Sequence, residues 1–253
     1  MKLQNHIMFL FVGLSFSLSL ISCKQKAVYP NILVRIDSSI AHNPDSALYI
    51  LDLLDDFMNT QPDEIQVYHC LLKTRAIEEC HKPHFSDVQM KRVVKYYQEN
   101  GSTEKLMEAY FLLACVYRDL NRVSYALEYF QKAIEMRTND PCHSLRSRAY
   151  SQMGALFTNQ GMHFEATDVY RKACFHALFK CDSFEIAGHY MNLARNFAMH
   201  NKMDSTIKYY ELAGRYDAEG TFRERIDVYI RHKEFDKARK VLIENVESYS
   251  EWG

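Results

Sequence analysis

Tyr110-Phe111-Leu112-Leu113-Ala114-Cys115-Val116-Tyr117-Arg118-Asp119-Leu120-Asn121 opens the first of three stretches that repeat one pattern at a spacing of 40 residues. Tyr110, Leu113, Ala114, Tyr117, Asn121, Ala126, Phe130 and Ala133 return as Tyr150, Met153, Gly154, Phe157, Gly161, Ala166, Tyr170 and Ala173. They return again as Tyr190, Leu193, Ala194, Phe197, Asn201, Thr206, Tyr210 and Ala213. The first four positions fall at i, i+3, i+4 and i+7 and the last three at i, i+4 and i+7, so each unit is a pair of amphipathic helices. Asn121, Gly161 and Asn201 stand between the two helices, where asparagine and glycine best tolerate the left-handed backbone that ends a helix. Ala114, Gly154 and Ala194 let the paired helices approach closely, and the aromatic positions fill the wider gaps. A fixed period of this length marks a stacked architecture in which each unit buries its apolar face against its neighbours.

Downstream, Phe222, Ile226, Tyr229, Phe235, Ala238 and Leu242 keep the two-helix pattern at a shorter spacing. Upstream the chain is helical without a clean repeat. Ile32, Leu33, Ile36 and Ile40 form one stripe, and Ala47, Leu48, Leu51, Leu54 and Met58 form another after the start signal Asn43-Pro44-Asp45. Val67, Leu71, Leu72 and Ile77 mark a third helix, and Val88, Val93, Val94 and Tyr97 a fourth that Asn100-Gly101 ends. No stretch alternates as a strand would. The expected fold is all-α, one α-solenoid from about Tyr29 to Ser250, with degenerate helical pairs over 30–101 and about four repeats over 102–253.

The offsets resemble the tetratricopeptide repeat, whose signature places a bulky residue, Leu-Gly, Tyr, then Ala, Phe or Tyr, and Ala at these positions. That family repeats every 34 residues, so a longer period implies extra helical turns or longer connections, expected near Asp140-Pro141 and Lys180-Cys181-Asp182-Ser183. Thr206 departs from the signature alanine and predicts a looser helix pair. Asn43-Pro44-Asp45-Ser46-Ala47-Leu48 and the run from Ala109 to Leu120 resemble bacterial membrane-tethered tetratricopeptide proteins, many of which continue into further domains. The resemblance implies a protein or peptide held in a concave groove lined by the first helix of each pair. Carried across, the groove positions include Phe111, Arg118, Arg148, Asn159, Met191, Arg195 and Arg223. Four guanidinium groups in a row suit carboxylates, which points to an acidic peptide. Two alternatives stay open: a sensory or regulatory module that signals to another envelope protein, and a glycan-capture lipoprotein. The single Trp argues against the second, because sugar sites need aromatic platforms. With no evident polar capping helix, the last helix pair also leaves room for a homo-oligomer through the C-terminal face.

At the amino terminus, polar Lys2 to His6 precede the apolar run Ile7 to Leu20 and then Leu20-Ile21-Ser22-Cys23, which reads as a signal peptide over 1–22. The ending resembles the bacterial lipobox, which implies a lipidated Cys23 followed by a linker over 23–29. Each buried acyl methylene contributes about 0.8 kcal/mol to such an anchor. An uncleaved signal anchor is the alternative. By the same resemblance, Lys24 in place of Asp implies the outer membrane of a Gram-negative cell. Lys24-Gln25-Lys26 lacks the acidic run of surface-exported lipoproteins, which favours the periplasmic face and leaves surface exposure open.

Composition excludes other classes. A net charge of -1 gives no basic face for nucleic acid. The seven cysteines, Cys23 apart, sit mostly at helical positions and read as small buried hydrophobes. His69-Cys70, Cys80-His81 and His84 carry metal-ligand chemistry, but two cysteines ten residues apart lie about three helical turns from each other and cannot share a tetrahedral ion. No metal is assigned. Phosphate-binding loops, nucleophile elbows and zinc-protease motifs are missing from the sequence, so neither catalysis nor a cofactor is expected. The adjacent pairs Asp55-Asp56 and Glu78-Glu79 read as solvated surface.

Overall fold

A computed structural model describes residues 29–138, 143–180, 183–217 and 219–250. The signal peptide, Cys23 and Asp140-Pro141 lie outside them. The described residues form helices and no strand: α1 (Asn31–Ser39), α2 (Pro44–Leu53), α3 (Asp55–Met58), α4 (Asp63–Glu79), α5 (Val88–Asn100), α6 (Thr103–Asp119) and α7 (Val123–Glu135), then α8 (His143–Asn159), α9 (His163–Lys180), α10 (Ser183–Met199), α11 (Met203–Gly214), α12 (Phe222–Arg231) and α13 (Phe235–Ser250). Successive helices pack as antiparallel pairs into an α-solenoid of the expected class. No helix among the described residues is long and apolar enough to cross a membrane.

The repeat starts earlier than the sequence pattern suggests. Helices α4, α6, α8 and α10 each span 17 residues. They begin at Asp63, Thr103, His143 and Ser183, so the 40-residue register already holds in the region read as degenerate. Each of these first helices ends in the same turn. His81, Asn121, Gly161 and Asn201 have φ of 53°, 56°, 72° and 57°, and Lys233 closes α12 at 61°. The next amide then donates to the carbonyl five residues back: Lys82 to Ile77 at 3.1 Å, Arg122 to Tyr117 at 2.8 Å, Met162 to Phe157 at 2.9 Å, Lys202 to Phe197 at 3.1 Å and Glu234 to Tyr229 at 2.8 Å. This is the Schellman closure, which satisfies carbonyls that the helix end leaves open. After His81 the connection runs on to Asp87 instead of turning within three residues, so α5 loses the spacing that marks the other second helices.

Packing at the close-approach position follows the reading. Ala114 and Ala194 are fully buried. A Cβ on Gly154 would come within 2.5 Å of the Tyr170 ring. Thr206 is buried as well, and its hydroxyl donates to the Lys202 carbonyl at 3.0 Å, which removes the polar penalty that predicted a looser pair. The extra length over a 34-residue repeat goes into the connection after α7 and into α9, which reaches Lys180. In the last unit the apolar stripe is displaced by one residue. Val241 is packed, whereas Leu242 and Phe235 are exposed.

The core is continuous in one half and divided in the other. A single apolar cluster runs from Leu33 to Val169. Beyond it lie two smaller ones, around Ala166, Tyr170, Leu193 and Phe197 and around Ile207, Tyr210, Val228 and Val241. Polar groups are buried in this second half. The Ser147 hydroxyl donates to the Ala173 carbonyl at 2.9 Å and lies 2.8 Å from His189 Nε2. Asn196 Nδ2 donates to Thr167 Oγ1 at 2.7 Å and to the His163 carbonyl at 3.2 Å.

Candidate functional site

Stacking brings the first helices side by side, so residues one period apart meet across neighbouring units. On this inner face the helices are joined by polar contacts from α1 to α12. Arg75 on α4 reaches Asp37 on α1 and Glu108 Oε1 on α6, the latter at 3.2 Å. Arg118 on α6 donates through Nη1 and Nη2 to Glu78 Oε1 and Oε2 at 3.0 and 2.9 Å, and through Nη1 to Gln152 Oε1 on α8 at 2.9 Å. Arg148 on α8 pairs with Glu79 Oε1 at 2.8 Å. Further along, the contact between α8 and α10 is neutral, Asn192 Nδ2 to Ser151 Oγ at 3.3 Å. Arg195 on α10 pairs with Glu224 Oε1 on α12 at 3.2 Å.

The N-terminal contacts are partly buried, most deeply at Glu78. Burial alone would raise the Glu78 carboxyl, but the His84 imidazole and the Arg118 guanidinium beside it outweigh burial and hold it down at about 2. Burial raises Glu108 in spite of Arg75 and Lys105. These acids correct the reading of Glu78-Glu79 as solvated surface: both are consumed by arginines from the next one or two units.

The same contacts correct the arginine ladder. Arg118 and Arg148 do lie on the inner face, but each is already paired with an acid of this chain, and Arg195 is paired at a half-exposed position. Arg223 is exposed on α12 and Asn159 is exposed at the end of α8. Phe111 is not a groove residue. It is 2% exposed, packs on Phe130 with ring centroids 5.6 Å apart, and lies under the Arg148 guanidinium. A first helix inside a solenoid is covered on more than one side, so a single apolar stripe underestimates its buried surface. Met191 is half-buried against the cluster around Tyr210.

Open space lies in two places, a cleft of about 260 Å³ lined by Glu78, Arg118 and Gln152 among others and a wider one toward the C-terminal end. The wider cleft, of about 390 Å³, is bounded by Ala198, Asn201, Thr206, Tyr210, Asp227 and Arg231. Asp227 and Arg231 are exposed and four residues apart on α12, so their side chains border the cleft from one helix face. Their residue types do not locate the space, which depends on how α10, α11 and α12 come together.

The cysteine and histidine cluster of the sequence disperses. Cys70 Sγ donates to Gln89 Oε1 at 3.4 Å, and His69 Nε2 lies 3.0 Å from the Leu51 carbonyl. Cys70, Cys80, Cys115 and Cys174 are free thiols. Burial pushes Cys70 up to about 11 and Cys174 up to about 12, which suppresses the reactive thiolate.

Residues 107–140 match the tetratricopeptide repeat family. No curated protein matches the chain in sequence. Among solved structures, the fold is similar to that of BtubC (BKLC) from P. vanneervenii, with a TM-score of 0.59 and 16% identity over 86% of this chain and 92% of that one. It is similar to aspartyl phosphate phosphatase F from Bacillus subtilis, with a TM-score of 0.60 and 14% identity over 85% of this chain and 68% of that one. It is also similar to a signal transduction ATPase with a tetratricopeptide repeat sensor from Pyrococcus horikoshii, with a TM-score of 0.61 and 12% identity over 85% of this chain and 36% of that one. At these identities the likeness is one of fold. The chain carries a tetratricopeptide repeat at 107–140 within a solenoid of tetratricopeptide-like fold.

Proposed function

We propose that this protein is a lipid-anchored scaffold of the bacterial cell envelope that holds a protein or peptide partner at the C-terminal stretch of its inner face. The observation that carries the reading is the cleft between α10, α11 and α12, bordered by Asp227 and Arg231, on a face whose N-terminal part is already occupied by its own ion pairs. A partner segment entering there meets two acids, Glu224 and Asp227, one base, Arg231, the Asn201 amide and the Tyr210 ring. Mixed charge therefore suits it better than the purely acidic peptide implied by an arginine ladder. The anchor rests on the lipobox-like Leu20-Ile21-Ser22-Cys23, and Lys24 supports an outer-membrane position facing the periplasm.

Capture from detergent-solubilised envelope tests the binding half of this reading. Wild-type protein should retain a specific partner that Asp227→Lys combined with Arg231→Glu loses and Asn159→Ala keeps. Equal capture by all three proteins would remove the cleft from the account. Metabolic labelling with palmitate tests the anchor separately: the label should disappear in Cys23→Ser, and a label that persists in that variant would contradict it.

A further inference from the structure

The connection between α4 and α5 folds His84 back beneath the end of α6. Its backbone N–H donates to Asp119 Oδ2 at 3.0 Å. The imidazole is 5% exposed, with Nε2 at 3.6 Å from Glu78 Oε2 and 4.0 Å from Asp119 Oδ2. Nε2 is buried and lies beyond hydrogen-bond distance of both carboxylates, so its effect on Glu78 acts through space and leaves the nitrogen without a bonded partner. Leaving such a group without a partner costs about 1–3 kcal/mol, so the position favours an occupant that uses the nitrogen lone pair.

The surrounding atoms are those of a coordination site. One ligand atom from each of Glu78, His84 and Asp119 lies within 4.8 Å of the others. Around an ion with bonds of about 2.1 Å, neighbouring ligand atoms stand roughly 3.0–3.5 Å apart, so the three need only a modest inward shift. Arg118 orients the carboxylates from the other side, with Nη1 and Nη2 on Glu78 at 3.0 and 2.9 Å and Nε on Asp119 Oδ1 at 2.8 Å. A carboxylate oxygen has two lone pairs, so Glu78 Oε2 and Asp119 Oδ2 each keep one toward His84. A cleft of about 260 Å³, lined by Glu78, His81, Lys82, Arg118, Asp119 and Gln152 among others, reaches the two carboxylates of the group.

We propose that Glu78, His84 and Asp119 bind one divalent transition-metal ion, with solvent completing its coordination. Imidazole and carboxylate donors without thiolate suit Zn²⁺, Co²⁺ or Mn²⁺. Two carboxylates and one guanidinium leave a single net negative charge, which favours a cation. The ion ties the long α4–α5 connection to α6 in the next unit. This site is independent of the partner-binding reading.

The test is titration of the full chain, in mild detergent and stripped by chelator, with Co²⁺ followed by visible absorption, and with Zn²⁺ as competitor. One equivalent should bind, and Zn²⁺ should displace it. His84→Gln should weaken binding at least tenfold, and His143→Ala, which removes one ring of the separate His143–His176 pair, should leave it unchanged. If His84→Gln does not fold, Asp119→Asn carries the same expectation with nearly the same shape. Absence of saturable binding up to about 1 mM metal, or undiminished binding in the folded variant, overturns the proposal.

Discussion

The two ends of the inner face are built from the same repeat and spend its polar residues differently. From α1 to α8 the arginines are held by acids of neighbouring units, in contacts sheltered above one unbroken apolar cluster. From α8 to α12 the contacts are neutral ones, Ser147 with His189, Thr158 with Asn196 and Asn192 with Ser151, and one half-exposed ion pair, the core divides into smaller clusters, and a cleft opens beside exposed charges. Self-pairing makes the N-terminal stretch a brace, and the proposed partner site lies in the stretch where such pairs are fewer.

The sharpest way to break that contrast is to remove one arginine from each end. Arg118→Ala strands the Glu78 carboxylate, 8% exposed, and should cost about 3 kcal/mol in urea unfolding followed by circular dichroism. Arg195→Ala should cost below about 1 kcal/mol, because its pair with Glu224 is half in solvent. Equal losses would mean that the two ends are braced alike.

Acid probes the same brace without mutation. Glu78 falls from an ordinary 4.5 to about 2 in the folded protein, so its contribution is full above the unfolded value and fades as pH drops from 4.5 toward 2. With chelator present, wild-type stability should fall over that window by about 3 kcal/mol from this group, and Glu78→Gln should flatten the slope. An unchanged slope would show that the pair is not coupled to folding.

At the boundary of the two ends, Gly154→Val drives a side chain into the Tyr170 ring and should destabilise by roughly 2 kcal/mol on the same urea assay. The smallest expected effect is a gain. His81→Gly and Lys233→Gly each relieve a left-handed non-glycine residue and should each stabilise by up to about 1 kcal/mol, alike at both ends because the turn is the same.

Much of the stacking was legible in the sequence and little of the site was. Asn121, Gly161 and Asn201 announced their turns because asparagine and glycine tolerate left-handed backbone. His81 makes the same turn, but its residue type carries no such signal and the five additional residues before α5 hide the period. Helical spacing set Arg118 and Arg148 beside the packing stripe, yet it does not show which acids the adjacent helix presents to them. Glu78 stands 40 residues before Arg118, and only the stacking of equivalent positions brings them together. His84, Glu78 and Asp119 were separated in the reading for the same reason, and Phe111 was misplaced because inner helices are buried on several sides.

Site-specific photo-crosslinking in intact cells tests the contrast most directly, with a photoreactive residue at Asp227 in the open cleft or at Gln152 in the braced stretch. The account predicts a covalent adduct with another protein from position 227 and none from position 152. An adduct from 152 alone would contradict it.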